Sequence, residues 1–425
     1  MRIGLFTDTY HPATNGIVYA VDITRRQLRR MGHDVYVFCP KVVGEEMEYD
    51  PRVVRFRSVA SGLFEDSRVS LFRPSAASEL VRGLDLDVIH FFTPAQLGLL
   101  AVHTARTTGA VLIGHHCTDI SRVVEHYRHT LPVLLSLALA LQFAIETTRL
   151  DLATLATVLR PRSDIGDWCR IAAENSLAML YSRCDAVVAV SRKSRDQLES
   201  WRGTYDYRVV ALPTGVDPLP SPSPEEIARF RSQWNLADDE EIIVNVGRMG
   251  AEKNLPLLIA ALRIVLEARP RARLMYVGGF DFLNALKELA AQSGVGHRIT
   301  FTGCLPRNRL GVVYAVADVL AFPSMTDTQG LVLNEAANAG LPIVLIDESV
   351  TEIVRHGVNG VVTPNSATGF AAGIIELLAD RGRADDFGAA GRRIAREFGE
   401  YGQTRKLELL YRQEIAKRRR SRSLR

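Results

Sequence analysis

The stretch DVLAFPSMTDTQGLVLNEAANAGLPIVLID, residues 318–347, decides the fold class. It begins with the apolar run DVLAFPS, passes through a polar loop, continues as the helical pattern LVLNEAANAG and ends in a second apolar run. Short apolar runs are typical of strands buried on both faces, and a helix between two such strands makes a β-α-β unit. The stretch therefore predicts a parallel sheet covered by helices.

The same alternation extends through both halves of the chain. RIGLFTD, DVIHFF, VLIGHH and DAVVAVS are strand-like in the first half, and EIIVNVG, ARLMYVGG, ITFTG and GVVTP are strand-like in the second. Between the halves lies LPTGVDPLPSPSPEE, a proline- and serine-rich segment typical of a linker. A chain of 425 residues is also too long for one typical core.

These patterns predict an α/β protein with two doubly wound, Rossmann-like domains that face a central cleft. We expect the domains at residues 1–215 and 216–402, followed by a terminal helix and basic tail at 403–425. LPVLLSLALALQFAI, at 131–145, interrupts the alternation and predicts a helical insertion at about residues 125–175. Fifteen apolar residues are too few to cross a bilayer, so this insertion is either buried in a core or dimer interface, or docks on a membrane.

Composition is that of an ordinary globular protein, with 47% hydrophobic and 24% charged residues. The five cysteines are scattered without a C-x-x-C pair, and the N-terminus lacks a secretory pattern, so we expect a cytoplasmic protein. The net charge of +4 is concentrated in a basic tail, where Glu414 is the only acid. Its cations are Arg412, Lys417, Arg418, Arg419, Arg420, Arg422 and Arg425. Such a tail binds anionic lipid or nucleic acid, or is a solvated end.

Two cations follow a strand of the second half. Arg248 and Lys253 lie five residues apart in GRMGAEKN, after the strand-like IIVNVG. Ligands of open α/β sheets bind beyond the carboxyl ends of the strands. Arginine presents a fork of donors and lysine a point charge, so the pair could hold a diphosphate, although exposed basic residues are common.

Two acids flank the helix of the opening stretch. Gly330 permits a close backbone turn, the helix after it offers free N–H groups to a phosphate, and Leu331 is its first residue. Asp327 lies before this helix and Glu335 lies more than one turn inside it. This placement could put one carboxylate against a sugar and the other against ribose hydroxyls. The alternative is a helix cap at Asp327 and a solvated Glu335.

The opening stretch resembles the signature of glycosyltransferase family 4, which comprises retaining enzymes of the GT-B fold. The resemblance is carried by Phe322, Pro323, Ser324, Gly330, Leu331, Glu335 and Ala336, followed by AGLPIV. The family's motif has two glutamates separated by seven residues. Glu335 matches the second, whereas Asp327 stands at the place of the first and is one methylene shorter.

Other segments resemble the family in the same order. VGRMGAEKNLPLLIAAL is similar to its donor-phosphate segment, which implies that Arg248 and Lys253 bind the diphosphate. PTGVD, ITFTGCLPRNRL and TEIVRHGVNGVVTP are similar to its interdomain, nucleotide-base and final-strand segments. TDTYHPATNGIVYAV resembles the loop that faces the cleft, which makes Gly16 a candidate donor contact. Together with Gly330, Leu331 and Glu335, these residues form the candidate donor site.

The resemblance also implies a histidine near the acceptor. GHHCTD lies at the corresponding place, and His116 is favoured over His115, with Cys117 where threonine is expected. A histidine at a strand end could orient a hydroxyl or relay a proton, or it could be a packed core residue. The candidate catalytic set is therefore Asp327, His116, Arg248 and Lys253.

The implied reaction is transfer of a hexose from a nucleotide sugar to a hydroxyl with retention of configuration. We expect no metal, because Asp85 and Asp87 form a D-x-D that opens a buried strand and is better explained by solvated turn residues. We expect no resident cofactor, because VGGF at 277–280 is not a G-x-G-x-x-G fingerprint and the sequence carries no P-loop lysine signature. The donor could be UDP-glucose, UDP-galactose or GDP-mannose, and spacing does not distinguish them.

A membrane lipid such as diacylglycerol is the favoured acceptor. FTDTYHPATNG also resembles family members that glycosylate diacylglycerol or phosphatidylinositol. Arg25, Arg26, Arg29 and Arg30 on the first helix would join the insertion and the tail in contacting an anionic membrane, on the inner face of the plasma membrane. The alternatives are a soluble or cell-wall polysaccharide acceptor and, from another class, a nucleic-acid-binding protein that uses the tail. We expect no nucleic acid partner, because recognisable binding modules are lacking.

Overall fold

A computed structural model of the protein describes residues 1–42, 50–61, 68–119 and 130–423. The chain divides into two compact units. The first unit contains Met1–Thr214 together with Glu400–Arg425, and the second contains Gly215–Gly399.

The first unit is built on an eight-stranded sheet in the order β4-β3-β2-β1-β5-β6-β7-β8. Its neighbouring strands pair in parallel, except that β4 is antiparallel to β3 at one edge. The strands are β1 (Arg2–Phe6), β2 (Asp34–Lys41), β3 (Val53–Ala60), β4 (Arg68–Ser70), β5 (Val88–Phe91), β6 (Val111–His116), β7 (Ala186–Ala189) and β8 (Val209–Ala211). The central strands β5, β6 and β7 are buried along their whole length, as their continuous apolar runs predict.

Seven helices of this unit precede the linker within the described residues. They are α1 (Gly16–Arg30), α2 (Pro74–Arg82), α3 (Gln96–Thr108), α4 (Leu131–Ala144), α5 (Arg149–Leu159), α6 (Ile165–Tyr181) and α7 (Arg192–Ser200). Helices α4, α5 and α6 lie between β6 and β7, where the sequence predicts the helical insertion. Residues 125–129 of that predicted segment lie outside the described residues.

The second unit is built on a six-stranded parallel sheet in the order β11-β10-β9-β12-β13-β14. The strands are β9 (Glu241–Val246), β10 (Ala272–Val277), β11 (Ile299–Gly303), β12 (Val319–Phe322), β13 (Ile343–Leu345) and β14 (Gly360–Val362). The helices are α8 (Pro224–Gln233), α9 (Pro256–Ala268), α10 (Leu283–Gln292), α11 (Leu310–Val316), α12 (Leu331–Ala339), α13 (Ala367–Ala379) and α14 (Arg381–Ala395). Two hydrophobic clusters of the unit share its strands, which agrees with helices on both faces.

Each sheet reverses its strand order once. The chain builds the first sheet outward from β1 to β4 and then resumes with β5 on the other side of β1. It builds the second sheet from β9 to β11 and resumes with β12 on the other side of β9. Loops that follow the two strands at such a switch point diverge to opposite faces, which leaves the crevice where ligands of open α/β sheets bind.

The C-terminal segment differs from the prediction in its domain assignment and in the pairing of its cations. Helix α15 (Glu400–Ser423) belongs to the first unit, whereas the sequence assigned residues up to 402 to the second domain. Three tail cations form ion pairs within the unit: Arg412 with Glu408, Lys417 with Glu414, and Arg418 with Asp185. Part of the tail's charge is therefore compensated by the fold, which composition does not reveal.

The arginine cluster on α1 is also largely paired. Arg25 and Arg29 both bond to Asp50, and Arg26 bonds to Glu400. The sequence predicted that this side of α1 contacts an anionic membrane. Three of its four cations form ion pairs with acids from distant parts of the first unit, and the predicted membrane contact of this side remains a prediction.

Candidate functional site

Two loops meet at the switch point of the second sheet. One follows β9 and the other follows β12. The Thr326 hydroxyl donates to the carbonyl oxygen of Glu252 at 3.2 Å, and the Asn254 side-chain amide donates to the carbonyl oxygen of Pro323 at 3.3 Å. These bonds bring together the two segments in which the sequence places most of its candidate residues.

Lys253 and Asp327 form an ion pair across these loops. Lys253 Nζ donates to Asp327 Oδ1 at 2.8 Å, and both side chains are largely buried. The sequence predicted separate roles for them, with the lysine on a diphosphate and the acid on a sugar. The structure adds that the acid holds the lysine, so a diphosphate at Lys253 would share it with Asp327.

The planar guanidinium group of Arg248 is contacted at its edge by an acid and on its face by an aromatic ring. Its Nη2 donates to Glu252, whose side chain is 0% exposed. Its guanidinium carbon lies 4.3 Å from the centroid of the Phe280 ring, within the range of a cation–π contact. A buried carboxylate needs a charged partner, so Glu252 fixes where Arg248 stays.

Space for the Glu252 carboxylate exists because residue 250 is glycine. A Cβ at Gly250 would lie 2.3 Å from Glu252 Oε2 and 2.6 Å from Oε1, far inside contact distance. The loop between Arg248 and Lys253 is thus folded around its own acid. The five-residue spacing of the two cations does not indicate this arrangement.

The loop after β10 supplies the aromatic face. Phe280 has a φ angle of 147°, a region that non-glycine residues rarely occupy. Before it, Gly278 has φ 140°, and a Cβ there would lie 1.9 Å from the Gly247 carbonyl oxygen. The sequence predicted no binding role for this loop and so missed Phe280. An aromatic residue directly after two glycines was the available signal.

Glu335 lies on α12 and is nearly enclosed, with its side chain 3% exposed. The Tyr314 hydroxyl donates to its Oε2 at 2.8 Å, and Arg307 donates to its Oε1. Burial and the nearby Glu335 charge raise the pKa of Tyr314 well above its ordinary value, so it remains a donor. The sequence missed Arg307 and Tyr314, because neither stands at a recognisable spacing from Glu335.

Gly330 and Leu331 form the start of α12. Among the described residues, no side chain caps the helix at Gly330. A Cβ at Gly330 would lie 2.9 Å from Leu333 Cδ1 and 3.0 Å from Phe322 Cζ. Its small size is therefore required by apolar packing around the helix start. The predicted role of these N–H groups in phosphate binding remains a prediction.

His116 is a core residue in this structure. It is 1% exposed, its Nδ1 lies 3.1 Å from the Tyr181 hydroxyl, and its Nε2 lies 3.0 Å from Gln197 Oε1. Burial lowers its pKa, against the opposing effects of Gln197 and the Asp119 charge. With both ring nitrogens bonded, His116 has none left for an acceptor hydroxyl. The enclosed ring agrees with the packed alternative, and the predicted catalytic role remains a prediction.

The switch point of the first sheet carries the remaining candidate, Gly16. Asn15 caps α1 by accepting from the backbone N–H groups of Ile17 and Val18 at 3.1 Å, and Gly16 is exposed at the helix start. The loops after β1 and β5 are joined by Thr93, whose hydroxyl lies 2.6 Å from Asp8 Oδ2. The predicted contact between Gly16 and a donor remains a prediction.

Comparisons with known proteins agree with the two-unit architecture. Residues 14–218 match the family described as Glycosyltransferase Family 4, and residues 226–394 match that described as Glycosyl transferases group 1. A Mycobacterium tuberculosis protein named GDP-mannose-dependent alpha-(1-6)-phosphatidylinositol monomannoside mannosyltransferase is 31% identical over 58% of this chain and 70% of its own. The chain belongs to glycosyltransferase family 4. The prediction from the signature around Glu335 is therefore confirmed.

Further relatives extend over more of this glycosyltransferase. The alpha-monoglucosyldiacylglycerol synthase of Streptococcus pneumoniae is 26% identical over 81% of this chain and 70% of its own. The solved structure of Anabaena HepE in complex with UDP-glucose covers 99% of this chain and 100% of its own, with a TM-score of 0.66 and 18% identity. The likeness confirms the GT-B fold predicted from the sequence.

Proposed function

We propose that this glycosyltransferase moves a hexose from a nucleotide sugar to a hydroxyl of a membrane lipid such as diacylglycerol, with retention of configuration. The observation that carries the donor half is the cluster at the second switch point. There the ion pair between Lys253 and Asp327 joins the loops after β9 and β12, Arg248 lies in the first of these loops, and Glu335 lies on the helix that follows the second. Cations for a diphosphate and buried acids for sugar hydroxyls are the groups that a nucleotide sugar requires.

In the proposed reaction, the acceptor oxygen bonds to the anomeric carbon on the face from which the nucleoside diphosphate departs. The bond between that carbon and the diphosphate oxygen breaks, and its electron pair stays on the diphosphate. The hydroxyl proton of the acceptor passes to this departing diphosphate oxygen, so no strongly basic side chain is required. Arg248 and Lys253 would stabilise the negative charge that develops on the diphosphate.

The ion pairs of the site constrain how a donor could bind. If Arg248 swung away to meet a phosphate, Glu252 would be left buried and uncompensated, which is costly. An arginine has five N–H donors, so Arg248 can keep Glu252 and still bind a phosphate oxygen. Glu335 likewise retains acceptor capacity for ribose hydroxyls, because an ionised carboxylate has roughly four lone-pair sites.

Nucleotide binding tests the donor half directly. A thermal-shift screen against UDP, GDP and ADP should show one preferred nucleotide, since a ligand that binds only the folded state raises its stability. Glu335→Ala should weaken that shift, whereas Glu288→Ala on the outer face of α10 should leave it unchanged. Equal shifts for wild type and Glu335→Ala would contradict the donor site.

The lipid half is supported by two observations. The names of the Streptococcus pneumoniae and Mycobacterium tuberculosis relatives describe glycolipid substrates or products. In this chain, exposed apolar side chains are concentrated on α4, α5 and the first residue of α6. They are Val133, Leu139, Leu150, Leu152, Leu159 and Ile165, between 38% and 56% exposed.

Three exposed arginines accompany this apolar surface: Arg149, Arg160 and Arg162. Within the described part of the chain, none of them forms an ion pair. Exposed apolar side chains beside uncompensated cations fit the interface of an anionic bilayer, into which an amphipathic surface inserts shallowly. No helix within the described ranges is long and apolar enough to span a bilayer. We therefore propose peripheral attachment to the inner face of the membrane through this surface.

Vesicle flotation tests the proposed attachment. Wild-type protein should float with vesicles of phosphatidylcholine and phosphatidylglycerol, and less with phosphatidylcholine alone. Leu150→Ser combined with Leu152→Ser should reduce flotation, whereas Leu289→Ser, a comparably exposed leucine of the second unit, should not. Equal flotation of all three proteins would contradict the proposed surface. Transfer to a polysaccharide but not to diacylglycerol would favour the soluble-acceptor alternative.

A further inference from the structure

His11 is a half-buried histidine at the switch point of the first sheet. It lies in the loop between β1 and α1, beyond the carboxyl end of the strand at which the sheet order reverses. Its side chain is 42% exposed, in contrast to the enclosed ring of His116. Ligands of open α/β sheets bind at this place, so His11 lies where the first unit would bind the acceptor.

Only one nitrogen of the His11 ring has a bonded partner among the described residues. Nε2 bonds to Asp22 Oδ2, and Nδ1 makes no hydrogen bond within the part of the chain that the structure describes. The carboxylate lies on α1, the helix that begins at the end of the same loop. The ring is therefore anchored on one side and presents its other nitrogen outward.

Asp22 is held in a fixed orientation. The Tyr10 hydroxyl donates to its Oδ1 at 2.6 Å, which leaves Oδ2 for His11. Burial raises the pKa of Asp22, but the bonds from His11 and Tyr10 and the charge of Arg25 outweigh it and lower the pKa overall. An ionised Asp22 accepts the proton of Nε2–H, so in the neutral ring Nδ1 carries the lone pair.

We propose that His11 binds the acceptor, with its Nδ1 accepting a hydrogen bond from the alcohol hydroxyl that receives the sugar. The proposal rests on the proposed glycosyl transfer and names the group that takes the role predicted for His116. Asp22 is a positioning residue: it fixes the ring and its tautomer and does not touch the acceptor. The hydrogen bond orients the hydroxyl before transfer. As the bond to the anomeric carbon forms, the one hydroxyl hydrogen turns from Nδ1 to the departing diphosphate oxygen, so His11 positions the alcohol and does not take its proton.

Two substitutions of similar size distinguish the roles of the two ring nitrogens. His11→Asn places an amide near the position of Nδ1, and His11→Gln extends an amide to the position of Nε2. We expect His11→Gln to lower kcat/KM for the acceptor about tenfold, the loss of one hydrogen bond, and His11→Asn to lose less. The nucleotide-induced thermal shift should stay at the wild-type value in both variants, because the donor cluster is untouched.

Asp22→Asn tests the tautomer. Tyr10 would keep the amide oxygen as its acceptor, so the amide N–H₂ would face His11 Nε2 and move the ring proton to Nδ1. We expect this variant to lower kcat/KM for the acceptor at least as much as His11→Gln. Nitrogen-15 NMR of the His11 ring should show Nε2–H in the wild type and Nδ1–H in the variant, a change that a merely structural aspartate would not produce.

His297→Asn is the matched control, because this exposed histidine lies in the second unit, on the short turn Gly296–Arg298. It should leave transfer unchanged. Wild-type kcat/KM in His11→Gln, or an unchanged tautomer in Asp22→Asn, would overturn the inference. If instead the wild-type protein binds no nucleotide and transfers no sugar, the proposed function fails before His11 is tested.

Discussion

The two switch points use different chemistry to join their loops. In the second unit, the ion pair between Lys253 and Asp327 links the loops after β9 and β12. In the first unit, the corresponding loops are joined by the Thr93 hydroxyl and the buried carboxyl of Asp8, whose pKa burial raises to about 6 against opposing hydrogen bonds. The difference suits the proposed ligands: paired cations can be shared with a diphosphate, whereas a neutral alcohol needs no such charge.

The largest expected effect comes from removing the cation that compensates a buried acid at the second switch point. Arg248→Ala leaves Glu252 buried without its cation, so we expect a loss of about 3–5 kcal/mol in the free energy of unfolding. Urea unfolding measures it. The double variant Arg248→Met with Glu252→Gln should recover most of this stability but not nucleotide binding. A single variant as stable as the wild type would show that Glu252 does not depend on Arg248.

The distribution of these partners shows what the sequence could and could not predict. Apolar runs bounded by turns indicate strands whatever lies beside them, so both sheets and the helix after Gly330 were predictable. The spacing of Arg248 and Lys253 indicates a loop with two cations. It does not indicate that Glu252 folds back beneath the first or that Asp327 reaches the second, because those distances depend on how loops from different strands meet.

The histidines illustrate the same limit. GHHCTD and TYHPATNG each place a histidine near a strand end, and motif position alone favoured His116. Burial separates them: β6 lies inside the sheet and encloses His116 beneath α6 and α7, whereas His11 lies in a loop beyond its strand. Tyr181 and Gln197, which occupy the nitrogens of His116, come from helices far away in sequence.

The second prediction concerns catalysis at the same switch point. Lys253→Met removes a cation from the proposed diphosphate site, and we expect kcat to fall roughly 100-fold, since a preorganised donor is worth about 3 kcal/mol there. Steady-state transfer with the preferred nucleotide sugar measures it. Lys287→Met, on α10, is the control and should retain full activity. Retained turnover in Lys253→Met would remove this lysine from the site.

The third prediction concerns the link in the first unit. The pKa of Asp8 is higher in the folded protein, about 6, than the 3.8 of an ordinary aspartate. The contribution of Asp8 to the free energy of unfolding is therefore fully present below about pH 4 and is lost as the pH rises through about 6. Asp8→Asn should remove this decline, which we expect to be roughly 2 kcal/mol. Urea unfolding between pH 4 and 7 measures it, with the exposed Asp206→Asn as control. Parallel pH profiles for wild type and Asp8→Asn would exclude the effect.

The smallest expected effect isolates the strained backbone of Phe280. Phe280→Ala and Phe280→Gly both remove the ring beneath Arg248, and only glycine accepts the φ angle of 147° without strain. We expect the glycine variant to be more stable than the alanine variant by about 1 kcal/mol, with nucleotide affinity lowered in both. Calorimetric titration and urea unfolding test the two parts. An alanine variant as stable as the glycine variant would show that the strain is absent.

The room that Gly250 leaves for Glu252 restricts how this enzyme can be redesigned. A side chain at 250 requires the Glu252 carboxylate to move, and an uncharged replacement at 252 leaves the Arg248 guanidinium without its ion-pair partner. A mutational library that varies one position at a time would score both as intolerant and miss the compatible combinations. Positions 248, 250 and 252 are therefore better randomised simultaneously in one library.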